Sequence, residues 1–143
     1  MKRLIYLLIS VLLLCSYGCK RKATYVDYIQ STLTETYPNW SADYDSIFIV
    51  PRMGCNSCTN RADKIIKSRL KNGRNLFILT NIQTKKLLKI EFGKENVSRD
   101  NVVMDTSNKY WKQRFVECAY PILLITSPDG TLDFKYLLDC SLQ

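Results

Sequence analysis

The residues best suited to chemistry in this sequence are two cysteines, Cys55 and Cys58, with Asn56 and Ser57 between them. They follow a short apolar segment, Ser46 to Pro51, and open a segment with helical spacing. A cysteine at a helix N-terminus meets unpaired backbone N–H groups and the positive end of the helix dipole, and both favour a thiolate. Because the thiolate is the nucleophile in disulfide exchange, we predict that Cys55 attacks a disulfide and that Cys58 resolves the mixed disulfide.

The neighbours of this pair suggest how its chemistry is tuned and which alternatives stay open. Arg52 lies three residues before Cys55 and is the candidate cation for lowering the pKa of that thiol. The alternatives are an inert structural disulfide and a metal site. Met53, spaced with the two cysteines as M-x-C-x-x-C, resembles the loop of heavy-metal-associated domains, which bind Cu(I) through two thiolates.

A zinc site is a weaker interpretation, because tetrahedral zinc needs a second pair of ligands. The sequence has no histidine, which leaves only Cys118 and Cys140 to supply that pair. We therefore favour exchange and predict that the protein holds no metal and no cofactor.

The elements that position the cysteines follow from the alternation of apolar and helical segments. Helices are predicted over Ala23–Tyr37, Cys55–Lys71, Gln83–Phe92 and Ser107–Val116 (with Ser107 as N-cap), and strands over Ser46–Pro51, Asn75–Thr80, Asn101–Asp105, Pro121–Thr126 and Thr131–Leu138. Continuous apolar strands alternating with helices predict an α/β sheet with helices on both faces. A tight turn at Ser127 to Gly130 makes the last two strands an antiparallel hairpin.

A second anchor for function is the dipeptide Tyr120-Pro121, which opens the apolar strand before that turn. A C-x-x-C pair combined with a distant proline at a strand start resembles the thioredoxin superfamily. The resemblance implies that Pro121 has a cis peptide bond and packs beside Cys55 and Cys58, and that Tyr120 and Pro121 shape a substrate-docking surface. The alternative for Pro121 is a trans proline opening an edge strand.

Within that superfamily, the sequence is most similar to membrane-anchored thiol-disulfide oxidoreductases related to cytochrome-maturation thioredoxins. The matching features run from Ser46 to Leu138 and comprise the redox pair, a strand ending in Asp105, the aromatics Tyr110-Trp111, Tyr120-Pro121 and Asp129-Gly130. The implied fold is a three-layer sandwich with a central mixed sheet and a C-terminal antiparallel hairpin.

The sequence also departs from this pattern at the motif itself. Gly54 stands where a tryptophan is usual before the first cysteine, and Asn56-Ser57 replaces the Gly-Pro dipeptide. The buried carboxylate that the family often carries on the preceding strand is missing, and the nearest acids are Asp45 and Asp63. We therefore predict an oxidoreductase. The departures concern its catalytic efficiency rather than its fold.

The N-terminus indicates export and membrane attachment. Lys2 and Arg3 precede an apolar run from Leu4 to Leu14, which is shorter than the roughly 20 residues of a membrane span and is typical of a signal peptide. The run is followed by Ser16-Tyr17-Gly18-Cys19, which resembles a bacterial lipobox with Cys19 as the lipidated residue. The alternative is an ordinary secretory signal in which Cys19 is incidental.

The whole chain of 143 residues has room for one domain behind this leader. We divide it into a signal peptide (1–18), a lipidated N-terminus with tether and helix (19–45) and a thioredoxin-like domain (46–143). The formal charge of +8 is spread along the chain without a nucleic-acid-binding motif, so we predict no nucleic-acid partner. The basic residues Lys20 to Lys22, in place of an acidic export tag, favour a lipid-anchored envelope protein facing the periplasm.

Two more cysteines lie on either side of the hairpin. The turn at Ser127 to Gly130 brings Cys118 near Cys140, and a structural disulfide there would stabilise the domain by about 3 kcal/mol. The alternatives are two free thiols, or a Cys118 that lies near the redox pair instead.

Taken together, these observations predict a monomeric lipoprotein that exchanges thiols and disulfides with other envelope proteins. The alternative is a non-catalytic thioredoxin-fold lipoprotein whose C-x-x-C pair is a structural disulfide or a soft-metal site.

Overall fold

A five-stranded mixed sheet forms the centre of the protein. The computed structural model describes residues 24–53, 56–116 and 121–137, without the side chains of residues 56–58. The elements in chain order are α1 (Tyr25–Thr36), α2 (Trp40–Asp43), β1 (Ser46–Pro51), α3 (Asn56–Arg69), β2 (Asn75–Thr80), α4 (Lys85–Glu91), α5 (Lys94–Val97), β3 (Val102–Met104), a 3-10 turn (Gln113–Phe115), β4 (Ile122–Thr126) and β5 (Leu132–Tyr136).

The order of the strands is β3-β2-β1-β4-β5, which puts β1 in the middle. β1 runs parallel to β2 and antiparallel to β4, while β3 extends the parallel half and β5 completes the antiparallel hairpin. The predicted mixed α/β sheet with a C-terminal hairpin is therefore confirmed. Because β1 is covered on both edges and both faces, its apolar run is continuous rather than alternating.

Two apolar layers cover the two faces of this sheet. Ile47 and Ile49 of β1 face a cluster that includes Ile29 and Leu33 of α1. Phe48 and Val50 face the opposite cluster, which includes Ala62 and Ile66 of α3, Leu70 just after α3, and Leu88 of α4. Successive strand residues point to opposite faces, so one six-residue strand supplies the core of both layers.

Helix α1 begins with a capping box, in which the side chains of Thr24 and Asp27 each bind the backbone N–H of the other residue. The threonines of α1 do not interrupt the helix, because the hydroxyls of Thr32 and Thr36 donate hydrogen bonds to backbone carbonyls one turn earlier. The predicted helix is confirmed, and α2 follows it as a short turn that the sequence analysis missed.

The predicted helix over Ser107–Val116 is wrong, and Ser107 caps no helix. The side chain of Asp105 accepts hydrogen bonds from the backbone N–H groups of Lys109 (3.0 Å) and Tyr110 (2.8 Å) and from the hydroxyl of Ser107 (3.0 Å). Asn108 adopts a left-handed conformation with φ of 53°. These contacts fix a loop instead of a helix, and only the short turn Gln113–Phe115 is helical.

The remaining predicted elements are confirmed with small changes at their ends. β1 and β2 match their predicted ranges, and α4 is shorter than predicted because the side chain of Thr84 caps it through the backbone N–H of Leu87. Gly130 closes the predicted hairpin turn with a φ of 79°. No helix within the described ranges is both long enough and apolar enough to cross a membrane.

Candidate functional site

The cysteine motif lies where the central strand passes into a long helix. β1 ends at Pro51 and α3 begins at Asn56, so the backbone of Cys58 belongs to the first turn of α3. Cys55 and the side chain of Cys58 lie outside the described residues. The described backbone thus has the strand-to-helix junction on which the predicted thiolate stabilisation depends.

Pro121 comes to the same end of the sheet from a distant part of the chain. Ile122 pairs with Ile49 near the carboxyl end of β1, so the buried Pro121 lies one step further toward that end. Its carbonyl accepts a hydrogen bond from the backbone N–H of Leu137 (2.7 Å). Tyr120 lies outside the described residues, so the predicted cis bond and the docking role of Tyr120 stay predictions.

Two other predictions, lipidation of Cys19 and the bridge between Cys118 and Cys140, also fall outside the described residues. The register of the hairpin bears on the bridge, since Ile122 pairs with Tyr136. In the sequence, Cys118 is four residues before Ile122 and Cys140 is four residues after Tyr136. The bridge stays a prediction.

Arg52 is buried and paired with carboxylates on two helices. Its guanidinium donates two hydrogen bonds to Asp63 of α3, through Nη1 to Oδ1 and through Nη2 to Oδ2 (3.2 Å), and Nη2 also reaches Oε2 of Glu91 (3.3 Å). Its backbone N–H binds the carbonyl of Thr80 in β2 (2.8 Å), and its guanidinium lies 5.6 Å from the ring centre of Phe92. The charge predicted to act on Cys55 is thus largely compensated within this cluster.

Asp63 is the residue of this cluster that the sequence analysis left unplaced. The sequence did contain a sign that Asp63 is buried, because Asp63 lies in α3 beside the buried residues Ala62 and Ile66. A carboxylate in a buried helix face needs a cation nearby. Only the tertiary structure shows that this cation is Arg52, which joins the end of β1 to α3 across the cysteine motif.

Two pockets are lined by residues that flank this motif in the sequence. The first, about 400 Å³, is lined by Arg52, by Thr59, Asn60 and Asp63 of α3, by the segment Ile82 to Thr84, and by one face of α4. The second, about 500 Å³, lies beyond the carboxyl ends of β1 and β2 and is lined by Met53, Asn81, Asn108 and Trp111 to Arg114. Crevices at the carboxyl ends of parallel strands are where open α/β sheets bind ligands.

The walls of the second pocket are held by loop-to-loop contacts. The backbone N–H of Asn81 donates to the side-chain oxygen of Asn108 (2.7 Å), and both asparagines have a φ of 53°. Asparagine tolerates this left-handed conformation better than most residues. The loop held by Asp105 then buries Trp111 as a floor and leaves Lys112 and Arg114 at the rim.

No group of three metal-binding side chains occurs among the described residues. This does not bear on the copper and zinc alternatives, whose cysteine ligands lie outside them.

Comparison of the chain with family models, with curated proteins and with solved structures gave no match. The resemblance to thiol-disulfide oxidoreductases therefore rests on the motifs named above.

Proposed function

We propose that this protein is a thiol-disulfide oxidoreductase of the bacterial envelope, with Cys55 and Cys58 as its redox pair. The observation that carries the proposal is the convergence of two sequence signals at one end of the sheet. The C-x-x-C motif follows the carboxyl end of β1 and opens α3, and Pro121 lies beside the same end of β1 although it is far away in sequence.

The architecture supports a thioredoxin-like fold for this domain. The central strand, the helices on both faces and the C-terminal antiparallel hairpin are the features that the sequence resemblance implies. The motif sits at the helix N-terminus, where backbone N–H groups favour the thiolate. These features agree with exchange chemistry.

In the reducing direction, the Cys55 thiolate attacks one sulfur of a partner disulfide. The partner S–S bond breaks, a mixed disulfide forms, and the first partner sulfur leaves as a thiolate. Cys58, after losing its proton to solvent, attacks the Cys55 sulfur and releases the second partner thiolate. Two electrons pass to the partner, and Cys55 and Cys58 end as a disulfide. The oxidising direction is the reverse.

Attachment to the membrane completes the proposal. Lipidated Cys19 would lie only five residues before Thr24, the cap of α1, and Lys20 to Lys22 would meet anionic headgroups. We place the domain on the periplasmic side as a monomer, with the thiols and disulfides of envelope proteins as its substrates.

A redox titration of the full chain in detergent tests this proposal. Thiols are trapped by alkylation and counted by mass across a series of glutathione ratios. The Cys118→Ser/Cys140→Ser background removes two other thiols, so that the titration follows Cys55 and Cys58. We expect a couple between about −120 and −270 mV, the range of exchange enzymes. Cys55→Ser and Cys58→Ser variants serve as controls and should each abolish it.

Two results would overturn the proposal in different ways. A bond that resists reduction below about −300 mV would be a structural disulfide. Copper that co-purifies with the chain and is lost when both cysteines are alkylated would indicate a metal site.

A further inference from the structure

The second pocket differs from the first in how its charges are balanced. In the first pocket Arg52 is paired with Asp63 and Glu91. In the second, Lys112 and Arg114 stand at the rim, and neither has an ion pair with any residue that the structure describes. No described carboxylate lines this pocket. Among the described residues, the positive charge of this pocket is therefore unbalanced.

The same pocket combines this charge with exposed apolar surface. Met53 is one of three large apolar side chains exposed in the described part of the chain, with 45% of its surface accessible. Trp111 supplies an aromatic floor, and Arg114 stacks on Phe115 at 4.6 Å, which holds its side chain along the rim. A ligand matched to this surface carries negative charge next to an apolar group.

The position of the pocket connects it to the proposed chemistry. Met53 is two residues before Cys55 in the sequence, so the pocket adjoins the segment that leads into the cysteine motif. The hydrogen bond between Asn81 and Asn108 and the loop built on Asp105 fix the walls in advance. A preformed surface binds an extended segment without the cost of ordering its own loops.

We propose that this basic groove, formed by Met53, Asn81, Trp111, Lys112 and Arg114, binds an acidic segment of the substrate polypeptide beside the cysteine that Cys55 attacks. The inference rests on the proposed exchange function and names its substrate class. A polypeptide fits better than a small acid, because the groove is open, whereas small-molecule sites enclose most of their ligand.

The test compares two peptides of equal length. Each peptide carries one cysteine, which is activated as a neutral pyridyl disulfide. Glutamates flank this cysteine in one peptide, and glutamines flank it in the other. The rate at which the reduced full-length protein releases thiopyridone is measured for both. We expect the acidic peptide to react on the order of tenfold faster at low salt, with the preference lost as salt screens the charges. The ratio of the two rates cancels changes in the intrinsic reactivity of Cys55.

Lys112→Glu/Arg114→Glu should abolish or reverse this ratio. The matched control is Lys85→Glu/Lys86→Glu, which changes the net charge equally on exposed residues of α4 outside the groove, and should keep most of the preference. The milder Lys112→Gln/Arg114→Gln variant guards against loss of folding. The assignment of the groove would be wrong if the groove variant and the control lost the preference for the acidic peptide equally. It would also be wrong if the wild-type protein showed no such preference.

A binding measurement distinguishes failure of this inference from failure of the exchange function. A labelled acidic peptide with serine in place of cysteine is followed by fluorescence anisotropy. If no peptide reacts, the proposed function fails, and binding that Lys112→Glu/Arg114→Glu removes would still support the groove. If glutathione displaces the labelled peptide at equal concentration, the site takes a small acid, and the assignment to a polypeptide is wrong.

Discussion

Two arginine–aspartate pairs lie at opposite ends of β1, and they differ mainly in burial. Arg52 and Asp63, at the carboxyl end, leave only 5% and 9% of their side chains exposed. Arg74 and Asp45, at the amino end, leave 55% and 59% exposed. Both pairs have two hydrogen bonds, and those of Arg74 measure 2.8 Å and 2.6 Å. The same chemistry is therefore present in two environments.

The environments give the two pairs different structural roles. Arg74 and Asp45 join the turn before β2 to the start of β1, in water that can replace either partner. Arg52 and Asp63 join the end of β1 to α3, where both side chains are almost fully buried. Removal of one partner of a buried pair leaves an uncompensated charge, whereas an exposed charge is solvated at once. The pair beside the cysteine motif is thus the one on which the local structure depends.

The largest effect is expected from Asp63→Ala. It leaves the buried Arg52 with only the half-exposed Glu91, so the free energy of unfolding should fall by about 3 kcal/mol. The measurement is urea denaturation followed by circular dichroism at pH 7. The matched variant Asp45→Ala removes the carboxylate of the exposed pair and should leave the urea midpoint close to that of the wild-type protein.

A double variant separates the lost charge from the lost volume. Arg52→Met/Asp63→Leu replaces the pair by apolar groups of similar size and should recover most of the stability that Asp63→Ala loses. If the double variant is as unstable as Asp63→Ala, the pair contributes through its geometry rather than by avoiding an unpaired charge. Equal effects of Asp63→Ala and Asp45→Ala would remove the distinction between the two ends of β1.

A smaller effect is expected where a buried contact carries no charge. The hydroxyl of Tyr25 donates to the carbonyl of Tyr110 (2.7 Å) inside the core, and Tyr25→Phe should cost about 1 kcal/mol at pH 7. Burial raises the pKa of Tyr25 above its ordinary value, and the charges of Tyr28, Tyr136 and Asp105 add to the shift.

The raised pKa sets the direction of the pH dependence. Above about pH 10 the unfolded chain ionises this tyrosine while the folded chain keeps it neutral, so the wild-type protein loses stability as pH rises. Tyr25→Phe lacks this loss, and the stability gap between the two proteins should narrow between about pH 10 and 11. Urea midpoints at both pH values measure the gap. A gap that stays constant or widens would contradict the assignment.

The smallest effect is expected at the exposed pair. The hydrogen bonds and charge of Arg74 hold the pKa of Asp45 below its ordinary value. A lowered carboxyl pKa favours folding above the unfolded pKa and loses that contribution as pH falls through the folded pKa, below about 4. Asp45→Asn should therefore lower the urea midpoint slightly at pH 7 and low salt, and the difference should shrink as the pH falls further below about 4.

Salt should remove the same difference, because exposed pairs are screened. Asp100→Asn, at an exposed carboxylate that forms no ion pair with a described residue, is the control and should show neither dependence. If the urea midpoint of Asp45→Asn still differed from that of the wild-type protein in 1 M salt, this pair would be protected from solvent.

The sequence predicted the strands better than it predicted the loops. β1 and β2 were predicted to the residue because a strand buried on both faces has no polar interruption, and α1 was predicted because its apolar residues keep helical spacing. The segment after Asp105 has similar spacing, but one carboxylate there accepts two backbone N–H groups and stops the helix. Hydrogen bonds of this kind compete with helix formation locally, and apolar spacing does not record them.

At the site, the sequence was enough to predict that the C-x-x-C motif follows a buried strand and opens a helix, because the strand and helix periodicities change at that point. The position of Pro121 beside β1, the pairing of Arg52 with Asp63 and Glu91, and the groove that Lys112 and Arg114 line next to Met53 are visible only in the folded chain. Each of these contacts joins residues from different elements. Strand order and register create them, and neither is encoded in the spacing of any single segment.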